Sequence, residues 1–482
     1  MAETEKENRK ESNDRAKEDA CEIDIKQLII DNQRQRRPSS RQCCIYRAQV
    51  VRDVDTAAFT PKIVSIGPLH HSKPHLKGME ETKINYLEQF LGHAANTARL
   101  HEQNHLKENN IEDAIAFLGW KGTVIQGGND FTLLGQLLDI LRRSEQDIRS
   151  CYAENLKGID SEEFLRLVLV DAAFIIELFL RYHFCSPDFD LWDVMQLPLY
   201  QFILIRSDLW LLENQIPYFV LENLYVTAFG SYPQIYPPFL ELAFKIFDIY
   251  NRWKMKPEAV KGKGIKHFTD LIRAFYLQPL GNSEEQNSNE NMFFPLLDHL
   301  PSATQLHDAG VRFVETKGKS LVDINFSESD GILEIPSLHI WDETAQCFRN
   351  IIALEQYHYP CETYVSDYFT LMDYLINTSQ DADLLMRKKV IKHWLGSSSQ
   401  VARLFNSLCI YILKGRINLH FFKIIEQLNK YHSRRLNRWR ATLRQQYFSS
   451  PFRGASTIGG IILLVLTLAQ AILAVLDLKS GP

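Results

Sequence analysis

A chain of 482 residues with 45% hydrophobic content can bury a sizeable core, and its length is enough for about three domains of ordinary size. A net charge of -5 at pH 7, with a pI near 6.3, excludes a chain-wide nucleic-acid-binding surface, which would be strongly basic. Eight cysteines, at positions 21, 43, 44, 151, 185, 347, 361 and 409, include no C-x-x-C pair, so neither a zinc ribbon nor a small disulfide scaffold is signalled and a reducing compartment is the simpler expectation.

Met1 to Ala20 alternates Glu, Lys, Asp and Arg without an apolar stretch, which excludes a secretory signal. Such a segment cannot repay the entropy of ordering, and residues 1–40 are expected to form a disordered charged N-terminus. Arg34, Arg36, Arg37 and Arg41 surround Pro38-Ser39-Ser40; they read as a solvated linker, or as a contact for anionic lipid headgroups, each basic residue contributing about 1 kcal/mol there. From Phe59 to His75, Pro61, Gly67, Pro68 and Pro74 exclude a helix and favour an ordered, extended loop. His70, His71 and His75 lack a cysteine or carboxylate at ligand spacing, so they do not make a metal site by pattern. From Met79 onward, Leu87, Phe90, Leu91 and Ala94 recur at helical spacing.

His101-Glu102-Gln103-Asn104-His105 matches the H-E-x-x-H zinc-peptidase pattern, two imidazoles one helical turn apart with a Glu between them. The surroundings are polar on every side, whereas a catalytic zinc helix is buried to fix its ligands, so the match reads as fortuitous. Gly318-Lys319-Ser320 ends like a phosphate loop, but Phe313 stands where that loop needs glycine, and no Gly-x-Ser-x-Gly elbow occurs. No residue is assigned a catalytic, cofactor-binding or metal role, and no cofactor is expected.

Residues Ser161 to Phe179 carry a dense apolar helical pattern with Glu162 and Glu163 at its cap. Further apolar runs span Leu191 to Ile205 and Leu209 to Phe229, broken at Pro198 and Pro217. Within the second, Glu213-Asn214-Gln215 places three polar side chains in apolar surroundings, where each must find partners or cost a few kcal/mol. One carboxylate and two amides supply no nucleophile, so the triplet reads as a packing key bracing the turn before Pro217. Pro237-Pro238 starts another helix, Lys254 to Lys266 is a basic linker, and 281–291 is a polar loop that could divide two lobes. Val311 to Val314, Leu321 to Asn325 and Ile332 to Pro336, with a turn at Glu328 to Gly331, predict a small antiparallel β element. Helical spacing returns over Thr363 to Leu375, Asp381 to Leu395, Gln400 to Leu413 and Asn418 to Phe448, with Gly396 and Gly415 as stops.

Ala455 to Leu476 contains no charge, and about 20 apolar residues suffice to cross roughly 30 Å of hydrocarbon. A transmembrane helix is expected there. Arg434, Arg435, Arg438, Arg440, Arg444 and Arg453 precede it and only Asp477 and Lys479 follow, which places the large body on the cytosolic side. The fold class is therefore mainly α: a large helical domain over 41–450 with a small antiparallel β element, plus one C-terminal transmembrane helix at 455–476.

Several stretches together resemble the plant family named only as domain of unknown function 247. They are Cys43-Cys44-Ile45-Tyr46-Arg47, Phe59-Thr60-Pro61 with Val64 to His71, Met79-Glu80 with Lys83, and Leu211 to Pro217. Further on, Pro301 to Leu306 with Ala309-Gly310-Val311, Arg349-Asn350 with Glu355-Gln356, and Val401 to Asn406 also fit. The resemblance brings no catalytic residue or cofactor. It implies a plant protein with a C-terminal membrane anchor, favours the plasma membrane, and some members of the family are associated with self-recognition in pollen. The expected function is a membrane-anchored protein-interaction or signalling module, whose partners are membrane lipid and another protein, with no nucleic acid and no identified small-molecule substrate. The alternative is a membrane-tethered hydrolase or transferase using His70, His71 and Glu213.

Overall fold

A computed structural model of the chain describes residues 43–102, 129–185, 197–277, 300–318, 320–410, 412, 417–434 and 451–479. The expectations for 1–40, for the loop at 281–291, for His105 and for Gly415 fall outside the described residues. Helices dominate the described residues, in which a large core of buried apolar side chains runs from Cys44 to Leu428 and a smaller cluster gathers Tyr46, Val51, Phe59, Leu212 and Leu354.

A one-turn helix, α1 (Gln49–Arg52), and 3-10 turns at Thr56–Phe59 and Pro74–Met79 precede α2 (Glu80–Glu102) and α3 (Asn129–Ser150). The centre of the first half is α4 (Ser161–Phe184), where Leu, Val, Ala, Phe and Ile occupy every face and residues 167 to 169 and 171 to 181 are all buried. Its cap is Asp160, whose carboxylate accepts the Glu163 N–H at 2.8 Å; Glu162 and Glu163 fill the first turn, where acidic side chains suit the helix dipole. Charges inside so apolar a helix must be paired. Asp171 accepts from Lys83 of α2 at 2.6 Å, and Glu177 faces His93 of α2 at 2.9 Å and Arg181 at 2.7 Å. Burial opposes the charge of Lys83, but Asp171 and then Glu80 overcome it and hold the ammonium above its ordinary pKa. These pairs fix how α2 lies along α4.

Next come α5 (Leu199–Asp208), α6 (Tyr218–Phe229), α7 (Phe239–Ile246), α8 (Phe268–Tyr276) and α9 (Ala303–Asp308). Pro198, Pro217 and Pro238 stand directly before α5, α6 and α7, where a missing N–H costs no helical bond. The β element is β1 (Arg312–Thr316), β2 (Asn325–Ser327) and β3 (Ile332–Pro336), in the order β1-β3-β2. β2 and β3 pair antiparallel around the 328–331 turn, in which Gly331 takes a φ of 62°. The expectation of a wholly antiparallel element is corrected by β1, which runs parallel to β3 with Phe313 opposite Leu333. Leu321, Val322 and Ile324 are buried between β1 and β2, so the chain crosses through the core there instead of making a hairpin.

A second, two-stranded parallel sheet joins β4 (Leu338–Ile340) to β5 (Ile391–His393). Between them lie α10 (Thr344–His358), α11 (Tyr364–Leu375) and α12 (Ser379–Arg387). The helix expected to reach Leu395 ends at Arg387, because Lys389 turns the chain at a φ of 61° and Ile391 is buried beside β4. Gly396 therefore precedes α13 (Ser398–Leu408) and its Ser397 capping box, and does not end a helix. α14 (Leu419–Ser433) follows. The last helix, α15 (Pro451–Lys479), contains in Ala455–Ile472 a stretch long and apolar enough to cross a membrane, none of which is buried against the body.

Candidate functional site

The turn from α5 to α6 holds the polar triplet, and all three side chains are buried. Asn214 Oδ1 accepts the Ile66 N–H at 2.7 Å, while its Nδ2 donates to the carbonyls of Val64 and Asp208, both at 3.0 Å. Gln215 donates to the carbonyls of Leu209 at 2.6 Å and Leu211 at 2.8 Å, and accepts the Phe268 N–H that opens α8 at 3.0 Å. Asp208, also buried, accepts the N–H groups of Lys62, Ile63 and Val64. Burial pushes its carboxyl up to about 6 even though those three donors favour the charge. Gly67, with φ of 72°, donates to Asp171 at 2.8 Å, and a Cβ there would run into the Gln215 carbonyl oxygen. The loop from Lys62 to Gly67 is thus threaded against the α5–α6 turn by side-chain bonds to its backbone. Asn350 of α10 extends the network, accepting from the Leu212 N–H and donating to the Ala58 carbonyl, each at 2.8 Å.

Glu213 faces the other way, toward cations. Its Oε2 pairs with Arg52, lies 3.7 Å from Arg47 Nη1 and 3.2 Å from His70 Nε2, and its Oε1 is 3.4 Å from the Ala48 N–H. Burial opposes its ionisation, but His70 and Arg52 overcome this and hold the carboxyl below the ordinary range. Burial lowers His70, although Glu213 beside it opposes the shift. The three loop histidines do not converge on one point: His70 meets Glu213, His75 Nε2 reaches the Pro61 carbonyl at 3.4 Å, and His71 Nδ1 is buried without a partner among the described residues. His101 and Glu102 occupy the last two positions of α2. Among the described residues no three His, Cys, Asp or Glu side chains are placed to hold a metal ion.

The sequence reading passed over a different place. Trp341 follows β4 and Trp394 follows β5, and the parallel register, with Ile340 opposite His393, brings the two indoles side by side. The Trp394 N–H donates to the Ile340 carbonyl at 2.9 Å. The rings stack at 4.1 Å with 8° between their planes and remain 44% and 59% exposed. Beside Trp341 opens a cavity of about 260 Å³ walled by Tyr250, Tyr276 and Phe348, with Arg206, His339 and Glu343 as polar groups. Tyr250 donates to Glu343 at 3.2 Å and accepts from Trp210 at 3.0 Å, which fixes that wall. Arg206 Nε and His339 Nε2 are buried and make no hydrogen bond among the described residues. Burial, with Arg252 nearby, lowers the His339 imidazole to about 4, so it is uncharged at neutral pH. Aromatic faces beside an acceptor and unspent donors suit recognition of another molecule's planar or cationic group. The available signal was a Trp directly after each of two short strands, at positions where the strand period turns the side chain outward.

The fold and these sites define a mainly helical body with a long apolar C-terminal helix. A family model described as a plant protein of unknown function, DUF247, matches residues 45–466, and the chain belongs to that family. It is similar to UPF0481 protein At3g47200 of Arabidopsis thaliana, 25% identical over 454 residues, covering 90% of this chain and 87% of that one. It is also similar to Putative UPF0481 protein At3g02645 of the same plant, 21% identical over 502 residues and covering 86% of each. No solved structure matches.

Proposed function

We propose that the protein is a membrane-anchored interaction module, its helical body held at the cytosolic face of a membrane, the plasma membrane by family resemblance, and its surface binding another protein. The observation that carries the tether is Ala455–Ile472, whose side chains are unburied by the body and need an apolar surrounding. The flanking arginines support a cytosolic body. Recognition is best supported at the Trp341–Trp394 stack, since exposed tryptophans beside a cavity are the usual anchors of a binding surface. Proximity labelling with the native anchor in place tests this. Partners captured by the natural chain should drop out with Trp341→Ala or Trp394→Ala at unchanged membrane level, and an unaltered set would contradict recognition at this face.

A second reading, a membrane-tethered hydrolase or transferase, is favoured by the His70 to Glu213 contact alone. Hydrolysis of an activated ester that disappears in a folded His70→Ala variant would support it. Its weakness is physical: His70 and Glu213 are fully buried, and arginines occupy the carboxylate.

A further inference from the structure

The cavity beside Trp341 is lined by groups of opposite charge that do not meet. Arg206 reaches it from the last turn of α5, one helical turn after Ile203, and Glu343 reaches it from the cap position of α10. A cation in that last turn suits the α5 dipole, which accounts for its place but gives its donors no acceptor. The buried Arg206 Nε makes no hydrogen bond, and no carboxylate pairs with the guanidinium among the described residues. Among the same residues the Glu343 carboxylate accepts only the Tyr250 phenol, at 3.2 Å, so most of its acceptor sites are unspent. Trp210 in turn donates to that phenol at 3.0 Å, and the carboxylate is held in place before anything binds. Asp342 adds a second, exposed carboxylate to the lining. The rest of the wall is mainly apolar, with Trp341, Tyr250, and the rings of Tyr276 and Phe348 packed at 4.9 Å.

One cation and two carboxylates on an aromatic wall select for a ligand that carries both charges. A plain organic anion would meet Arg206 but be repelled by Asp342 and Glu343, and a plain cation would meet the reverse. We propose that the cavity binds a free aromatic α-amino acid, its carboxylate on Arg206, its ammonium on Glu343 and its ring against the aromatic wall. Guanidinium to carboxylate and ammonium to carboxylate are the strong, charge-assisted bonds, and each would use a group that has no charged partner of its own. His339 Nε2, buried and unbonded, adds a donor or an acceptor according to its tautomer. The size agrees: an apolar cavity of about 150 Å³ holds benzene, and this one, of about 260 Å³, has room for the ring with its amino-acid head. Such a site goes beyond the docking of a partner protein at the tryptophan stack and does not require it.

The test is calorimetric titration of the full chain, in nanodiscs of zwitterionic lipid, with L-phenylalanine. Binding should saturate at one ligand per chain. Phenylpropionate, which lacks the ammonium, phenethylamine, which lacks the carboxylate, and L-alanine, which lacks the ring, should each bind about tenfold more weakly or worse, as the loss of one charged or aromatic contact implies. Arg206→Met and Glu343→Gln, checked for retained helical circular dichroism, should each weaken L-phenylalanine by a similar factor. No saturable binding, an analogue that binds as tightly as L-phenylalanine, or an unchanged affinity in either folded variant overturns the proposal. The analogue series needs only the natural chain, so it decides the matter if a variant does not fold. No partner protein enters the assay, and its failure is therefore separate from a failure of partner capture at Trp341 and Trp394.

Discussion

Asn214→Leu removes a buried side chain that makes three hydrogen bonds, all to backbone groups of the turn and of the 61–69 loop. Leu has the same number of side-chain heavy atoms and the same branching at Cγ, so the cost is not a cavity but the groups left behind. The Ile66 N–H and the Val64 carbonyl lose their side-chain partner, and each such buried group costs about 1 to 3 kcal/mol. The Asp208 carbonyl suffers less, since the Leu211 N–H also reaches it at 3.3 Å. The sum is a destabilisation of about 3 kcal/mol or somewhat more. Equilibrium urea unfolding of the full chain in non-ionic micelles, followed by tryptophan fluorescence, reads it. Trp210 lies in the affected turn, its carbonyl accepting from Thr269 at 2.9 Å, and reports local loosening. Asn377→Gln, at an exposed position, serves as control and should stay within about 0.5 kcal/mol. A midpoint for Asn214→Leu equal to that of the control would refute the claim that the triplet clamps the loop.

Gly67→Ala should be as damaging or worse, because a positive φ and the Gln215 carbonyl both oppose a side chain; unfolding at the natural midpoint would show that the loop can shift away at little cost. Asp367 is pushed up to about 7, chiefly by burial and further by Glu355, against the Asn418 N–H, from an ordinary value of 3.8. The folded chain therefore holds a proton there that the unfolded chain has released, so this contribution is complete below about pH 4 and is lost as pH rises through about 7. Asp367→Asn, neutral throughout, should flatten the decline of stability across that window, and a slope equal to the natural one would show that Asp367 titrates normally. Asn325 and Asn377, in N-x-S/T sequons, are both exposed, so a lumenal body would be glycosylated. Glycosidase should leave the mass of the full chain unchanged, and a shift lost in Asn325→Gln or Asn377→Gln would invert the topology.

Helix positions were legible because apolar side chains at three- and four-residue spacing leave little choice of state, as in Phe164 to Phe179, and because Pro198, Pro217 and Pro238 mark helix starts. The burial of Glu213, Asn214 and Gln215 was legible too, since polar residues in so apolar a run must go inside with it. What the pattern did not carry was pairing across distance. Nothing local says that Asp208 binds the backbone of residues 62 to 64, or that Asn350 bridges Ala58 to Leu212. For the same reason β1 reads equally well as a parallel or an antiparallel partner of β3. The segment 388–393 shows a further limit, because a three-residue strand after a helix looks like a helical continuation until Lys389 turns it. The Trp341–Trp394 surface was missed because each tryptophan alone resembles ordinary core material, and only the β4–β5 register makes them neighbours.

The tether is tested most directly by alkaline carbonate extraction of plant-cell membranes carrying either the full chain or a chain lacking residues 455–476. An unburied apolar helix of this length should keep the full chain in the carbonate-resistant pellet, and the deletion should move the body to the soluble fraction with its helical circular dichroism retained. A full chain released by carbonate, or a deletion that stays in the pellet, would contradict an anchor at this helix.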